Sequence, residues 1–170
     1  ASDYAPDDIV EMSNWYSYPG NRIREEVYNA FIEMFNAAKE DGITLIVNSS
    51  YRTHDEQEEI YNDYESSQGK AYADKYAARP DYSEHQTGLA LDIFTPGAGM
   101  ANFEETDAFR WLQENSYKYG FILRYPEGKE DITGYNYEAW HYRFLGKDLA
   151  KKVYNSGLTY DEYYAYYLEK

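Results

Sequence analysis

Residues 83–94 read Ser83-Glu84-His85-Gln86-Thr87-Gly88-Leu89-Ala90-Leu91-Asp92-Ile93-Phe94, a polar, histidine-bearing segment that runs through a glycine into an apolar one. Leu89–Phe94 is a short apolar run bounded by turn signals, which predicts a buried strand. Thr95-Pro96-Gly97 breaks the run, and Gly99 prolongs the loop. Asp92 sits between Leu91 and Ile93, and a carboxylate at a buried position is costly unless it is paired or bound to metal. Gly88 can adopt backbone angles closed to other residues, so the chain can turn there and aim His85 and Asp92 at one place.

Upstream, Ile43–Asn48 is a β-branched run that predicts a second buried strand. Before it, Ile23, Val27, Ala30, Phe31, Met34 and Ala38 recur at helical spacing, predicting a helix over 21–41 with Asn21 as N-cap and Gly42 as stop. Polar helices are expected over 55–65 and 70–78, the latter ended by Arg79-Pro80. Downstream, 105–118 reads as a helix with Ala108, Trp111 and Leu112 on one face. Strands are expected over 121–125 and 139–144, separated by a glycine-bearing excursion over 126–137. Two helices close the chain, the last opening on the capping-box form Thr159-x-x-Glu162. Strands and helices do not alternate as βαβ units, which predicts an α+β domain with a small, mostly antiparallel sheet flanked by helices. Residues 1–20 read as an irregular lead-in and 21–170 as one domain, a division suited to a chain of 170 residues.

Composition narrows the function. A 43% hydrophobic content with 19% aromatics excludes a disordered chain. A formal net charge of -15 opposes binding to nucleic acid or an anionic membrane surface, so neither is expected as a partner. No apolar run approaches the roughly 20 residues of a membrane span. The absence of cysteine removes disulfide frameworks, thiol nucleophiles and thiolate zinc clusters. The chain opens on Ala rather than Met, so a trimmed signal peptide or anchor is expected upstream. The 22 tyrosines are scattered, which favours core and interface roles over a carbohydrate platform.

Three histidines are present, His54, His85 and His141. A catalytic zinc needs three N or O donors and an open position for water; His85, Asp92 and His141 can supply them, and Glu138 precedes His141 by three residues. The helical H-E-x-x-H motif is absent, and a His-x6-Asp spacing alone is common by chance. His54 opens a polar helix and reads as a solvated or capping residue. Trp140 reads as core behind the site, Arg143 and the acidic residues of 55–65 as a charged face, and Glu84 as either a support for the first histidine or a water-facing residue.

Ser83-x-His85-x-x-Gly88-x-Ala90-x-Asp92 followed by Glu138-x-Trp140-His141 resembles the paired signature of the VanY-type D-alanyl-D-alanine carboxypeptidases. These zinc peptidases also include L,D-carboxypeptidases and share a fold with the Hedgehog signalling domain. Ser50-Tyr51-Arg52 with Gln57, and Gly120–Pro126, resemble further family segments, so the likeness runs over 43–146. It implies a Hedgehog/DD-peptidase-like fold and one zinc ion on His85, Asp92 and His141. By the same resemblance Glu138 is the general base and acid, Arg52 steadies the carbonyl or oxyanion, Gln57 and Ser83 hold the substrate's end, and Tyr125 walls the pocket. The implied substrate is a peptidoglycan stem peptide losing terminal D-alanine, by a monomer outside a bacterial cell. The stretch Gly120–Gly146 is most similar to the members that trim tetrapeptides. A lysin-type endopeptidase and a non-catalytic zinc-stabilised module are the alternatives, and Glu138 argues against the second.

Overall fold

The computed structural model describes residues 4–169; residues 1–3 of the expected lead-in lie outside them. In chain order the elements are β1 (Ile9–Glu11), β2 (Arg22–Arg24), α1 (Glu25–Glu40), β3 (Ile46–Ser49), α2 (His54–Gln68), α3 (Lys70–Tyr76), β4 (Ala90–Phe94) and α4 (Asp107–Asn115). There follow β5 (Phe121–Leu123), the single turn α5 (Glu130–Thr133), β6 (His141–Phe144), α6 (Lys147–Ser156) and α7 (Tyr160–Tyr163), which runs on into a π turn over Tyr164–Leu168. The main sheet has the order β3-β4-β6-β5 with every neighbouring pair antiparallel. The α+β class expected from the sequence therefore holds.

Helix α1 buries Val27, Phe31, Met34, Phe35 and Ala38, the one stripe that a 3.6-residue period allows. These side chains share a core with Val47 of β3, Leu91 and Ile93 of β4, and Tyr142 and Phe144 of β6. Burying each of the larger ones is worth about 1.5–3 kcal/mol. Leu91 and Ile93 point into this core, so the period-two alternation of the strand turns Asp92 to the opposite face.

The beginning of the chain departs from expectation. The helix starts at Glu25, not near Asn21, and Arg22–Arg24 instead pairs with Ile9–Glu11 as a two-stranded ribbon. Asn21 is no helix cap. Its Nδ2 donates to the Tyr18 carbonyl (2.9 Å) and its Oδ1 accepts from the Ser50 hydroxyl (2.8 Å). The described part of the lead-in is thus tied to the sheet: Tyr16 and Tyr18 exchange backbone hydrogen bonds with Val47, both 3.0 Å. Since β3 is an edge strand of the sheet, this contact covers backbone groups that would otherwise face solvent.

Among the described residues no helix is long and apolar enough to cross a membrane. Helix α2 begins with a full capping box between Thr53 and Glu56, and α7 with one between Thr159 and Glu162, the latter as expected.

Candidate active site

Sheet register brings the donors together. In the antiparallel β4–β6 pair Asp92 stands opposite His141, and in β3–β4 Asp92 pairs with Ser49 beside a bulge. His85 arrives from a 3-10 turn, Glu84–Thr87, in which the Ser83 hydroxyl accepts the His85 N–H (3.2 Å). Gly88 then leaves the turn at φ 68, as the sequence required. An added Cβ there would lie 2.6 Å from Arg24 Cγ, so glycine also admits the β1–β2 ribbon.

His85, Asp92 and His141 are all buried, and one donor atom from each falls within 4.8 Å of the others. Asp92 Oδ1 lies 3.4 Å from His85 Nε2 and 3.3 Å from His141 Nδ1. Donors about 2.0–2.1 Å from a tetrahedral zinc stand about 3.3 Å apart, so these separations suit such an ion. Asp92 Oδ1 is buried yet has no well-aligned hydrogen bond. An orphaned carboxylate oxygen wedged between two imidazoles has the chemistry of a metal ligand.

The outer ring nitrogens are already committed. His85 Nδ1 donates to the Ser50 carbonyl (2.7 Å), leaving its Nε2 lone pair to face the site. His141 Nε2 donates to Glu84 Oε1 (3.1 Å), which leaves Nδ1 inward. Burial lowers the His85 pKa against the pull of Asp92, favouring the neutral ring that a metal needs. At His141 burial also acts downward, but attraction to Asp92 and Glu84 prevails and lifts it to about 10. The carboxylates that hold that proton, Asp92 and Glu84, are the negative charge that a cation would meet in its place.

Glu138 lies just before β6, its backbone N–H bonded to the Tyr125 carbonyl (3.1 Å), and its Oε2 is 3.5 Å from His141 Nδ1. Burial pushes its carboxyl up to about 7, with His141 opposing and Asp92 adding to the rise. Arg52 is placed by its N–H to the His85 carbonyl (3.1 Å), and its Nε is buried without a partner. Gln57 is 2% exposed; its Nε2 donates to the Ala78 carbonyl (2.7 Å), while Oε1 has no partner. The Tyr125 ring sits 4.8 Å from that of His141. All the residues predicted for the site line one cavity of about 460 Å³.

His54 does not reach this cavity. It is the first residue of α2, with Thr53 as the cap, and its Nε2 is 3.7 Å from Asp81. Trp140 stacks on Phe94 of the core (5.8 Å, 15°) while also lining the cavity. Arg143 is no charged face: its Nη1 donates to Glu84 Oε2 (2.7 Å) beneath the site. The cluster also holds Arg124, from the Gly120–Pro126 stretch, and Asp161, neither of which the sequence marks as part of the site. The usable signal was the strand period, which carries Arg143 to the same face as His141 two residues earlier.

The VanY model, that of a D-alanyl-D-alanine carboxypeptidase, matches residues 20–147. The chain belongs to the VanY family. It is 43% identical over 172 residues to the putative carboxypeptidase YodJ of Bacillus subtilis (strain 168), a match covering 95% of this chain and 62% of YodJ. The chain spans about three fifths of the length of the curated relatives it matches first. Among solved structures, the LdcB LD-carboxypeptidase superposes with a TM-score of 0.91 at 41% identity, covering 97% of this chain and 80% of LdcB. A mutant of a VanY D,D-pentapeptidase in complex with Zn(II) gives 0.78 at 40%, over 91% of this chain and 88% of its own. The VanY family thus includes a relative with zinc bound, and this chain has a buried three-donor group of matching chemistry.

Proposed function

We propose that this chain is a zinc carboxypeptidase that releases C-terminal D-alanine from peptidoglycan stem peptides outside the bacterial membrane. The observation that carries the reading is the orphaned Asp92 Oδ1 held between His85 Nε2 and His141 Nδ1, with Glu138 alongside. His85, Asp92 and His141 hold the ion. Zinc bound there supplies Lewis acidity, making a water easier to deprotonate and an amide carbonyl easier to attack.

Glu138 takes the proton of the attacking water and returns it to the leaving D-alanine nitrogen. Its Oε2 stands 3.5 Å from His141 Nδ1, close enough to the ion's place to exchange a proton with a water held there. Arg52, with an unsatisfied buried N–H, sets fixed positive charge where the carbonyl oxygen gains negative charge. The Ser83 hydroxyl and Gln57 hold the peptide's end, the free Gln57 Oε1 accepting from a substrate N–H, and Tyr125 walls the pocket beside His141.

The favoured bond is the one before the D-alanine of a tetrapeptide, an L,D cleavage. It is supported by the Gly120–Gly146 likeness and by the superposition on the LdcB LD-carboxypeptidase at a TM-score of 0.91. Incubation with defined tetrapeptide and pentapeptide muropeptides, followed by mass analysis, tests it. Loss of one alanine from the tetrapeptide is expected. Loss from the pentapeptide alone makes the enzyme D,D-specific, and internal scission makes it an endopeptidase.

A further inference from the structure

Each imidazole of the site needs one nitrogen with a free lone pair turned inward, and the two rings are fixed by different means. His85 is held by backbone, through the Ser50 carbonyl. His141 is held by a side chain, Glu84, whose Oε1 accepts the Nε2–H at 3.1 Å. Glu84 is itself immobilised: its Oε2 accepts from Arg124 Nε at 2.9 Å and from Arg143 Nη1 at 2.7 Å, and all three side chains are largely buried. Arg124 in turn forks onto Asp161 of α7, with Nη2 to Oδ1 at 3.2 Å, and packs over the Tyr125 and Tyr160 rings at 5.1 and 5.3 Å. Asp161 lies beyond residues 20–147, the part matched by the family model.

We propose, resting on the metal site described above, that Glu84 is a positioning residue. Gripped by Arg124 and Arg143, and through Arg124 by Asp161 of the C-terminal helix, it fixes His141 as the tautomer whose Nδ1 faces the metal. The physical need is twofold. A neutral imidazole has two tautomers, and the hydrogen bond at the far nitrogen selects between them. Two guanidinium groups behind a cation site also repel the ion, and the charges of Glu84 and Asp161 cancel theirs. Partners of this kind are commonly worth 10- to 100-fold in metal affinity.

The test is zinc affinity by competition with a chromophoric chelator, alongside circular dichroism of the metal-free proteins. Glu84→Ala is expected to fold and to bind zinc about 10- to 100-fold more weakly. Glu84→Gln keeps an acceptor but not the charge, and is expected to lose less. Asp161→Asn, remote from the ion, is expected to weaken zinc measurably while leaving the fold intact. In the zinc-loaded parent, imidazole 15N shifts should show His141 protonated at Nε2 and metal-bound at Nδ1, with His85 the reverse.

Parental affinity in a folded Glu84→Ala variant, or His141 bound through Nε2, overturns the proposal. If Glu84→Ala does not fold, parental affinity in both Glu84→Gln and Asp161→Asn overturns it as well. A parent that binds no zinc sinks the metal site itself. A parent that binds zinc and cleaves, beside variants that bind equally well, removes only the role of Glu84.

Discussion

Glu138 and the three metal donors answer to different experiments because they do different work. Glu138→Ala removes a proton carrier but no donor, so zinc measured by elemental analysis should stay stoichiometric. Its kcat should fall by about 10²–10⁴, the usual span for a general acid–base group; cleavage at the parental rate ends that assignment. His85→Ala and Asp92→Ala each remove one donor of three and should copurify without zinc, and stoichiometric metal in either counts against the ligand set. These residues were legible because the motif compresses them into two short stretches, 83–92 and 138–141. The support behind them was not. Arg143 looks like a surface charge in sequence because its partner, Glu84, is 59 residues away and meets it only once β4 and β6 have paired.

At the scale of elements, the hinge at Gly88 carries the strongest constraint. It combines φ 68 with a neighbour, Arg24 Cγ, 2.6 Å from where a Cβ would stand, whereas Gly157 has φ 70 and open space around it. Gly157→Ala should therefore cost only the left-handed backbone penalty, about 1–2 kcal/mol. Gly88→Ala must also displace Arg24, which is tied to Asp8 at 2.9 Å, and should cost clearly more in urea unfolding. Equal losses mean that the β1–β2 ribbon yields freely. Losing the Thr53 cap by Thr53→Ala should destabilise by about 1 kcal/mol in the same assay, since its hydroxyl accepts the Glu56 N–H at 3.1 Å. Helix α1 could be read from its apolar period and β4 from an apolar run bounded by turn signals. The ribbon could not, because three-residue strands are too short to show alternation. Asn21 misled for a related reason: its side chain has the chemistry of a helix cap, and only the distant Ser50 shows that it serves elsewhere.

For the whole molecule, the site brings Asp92 and Glu138 together around His141 in a chain whose net charge is already -15. Concentrating carboxylates in a buried place opposes folding unless cations accompany them, so metal occupancy should be visible in global stability. A ligand bound by the native state alone, at 100 to 1,000 times its dissociation constant, adds about 2.7–4.1 kcal/mol. For a domain of this size each kcal/mol moves the melting temperature by about 2–4 °C. Zinc-loaded protein should therefore melt roughly 5–16 °C above protein stripped with a chelator. The shift should persist in Glu138→Ala, which keeps every donor, and vanish in His85→Ala. Melting curves that coincide with and without metal in the parent mean that the three donors do not bind zinc in the folded state. A shift surviving in His85→Ala places the stabilising ion elsewhere, and the surface group His54, Asp55 and Glu58 is then the next to mutate.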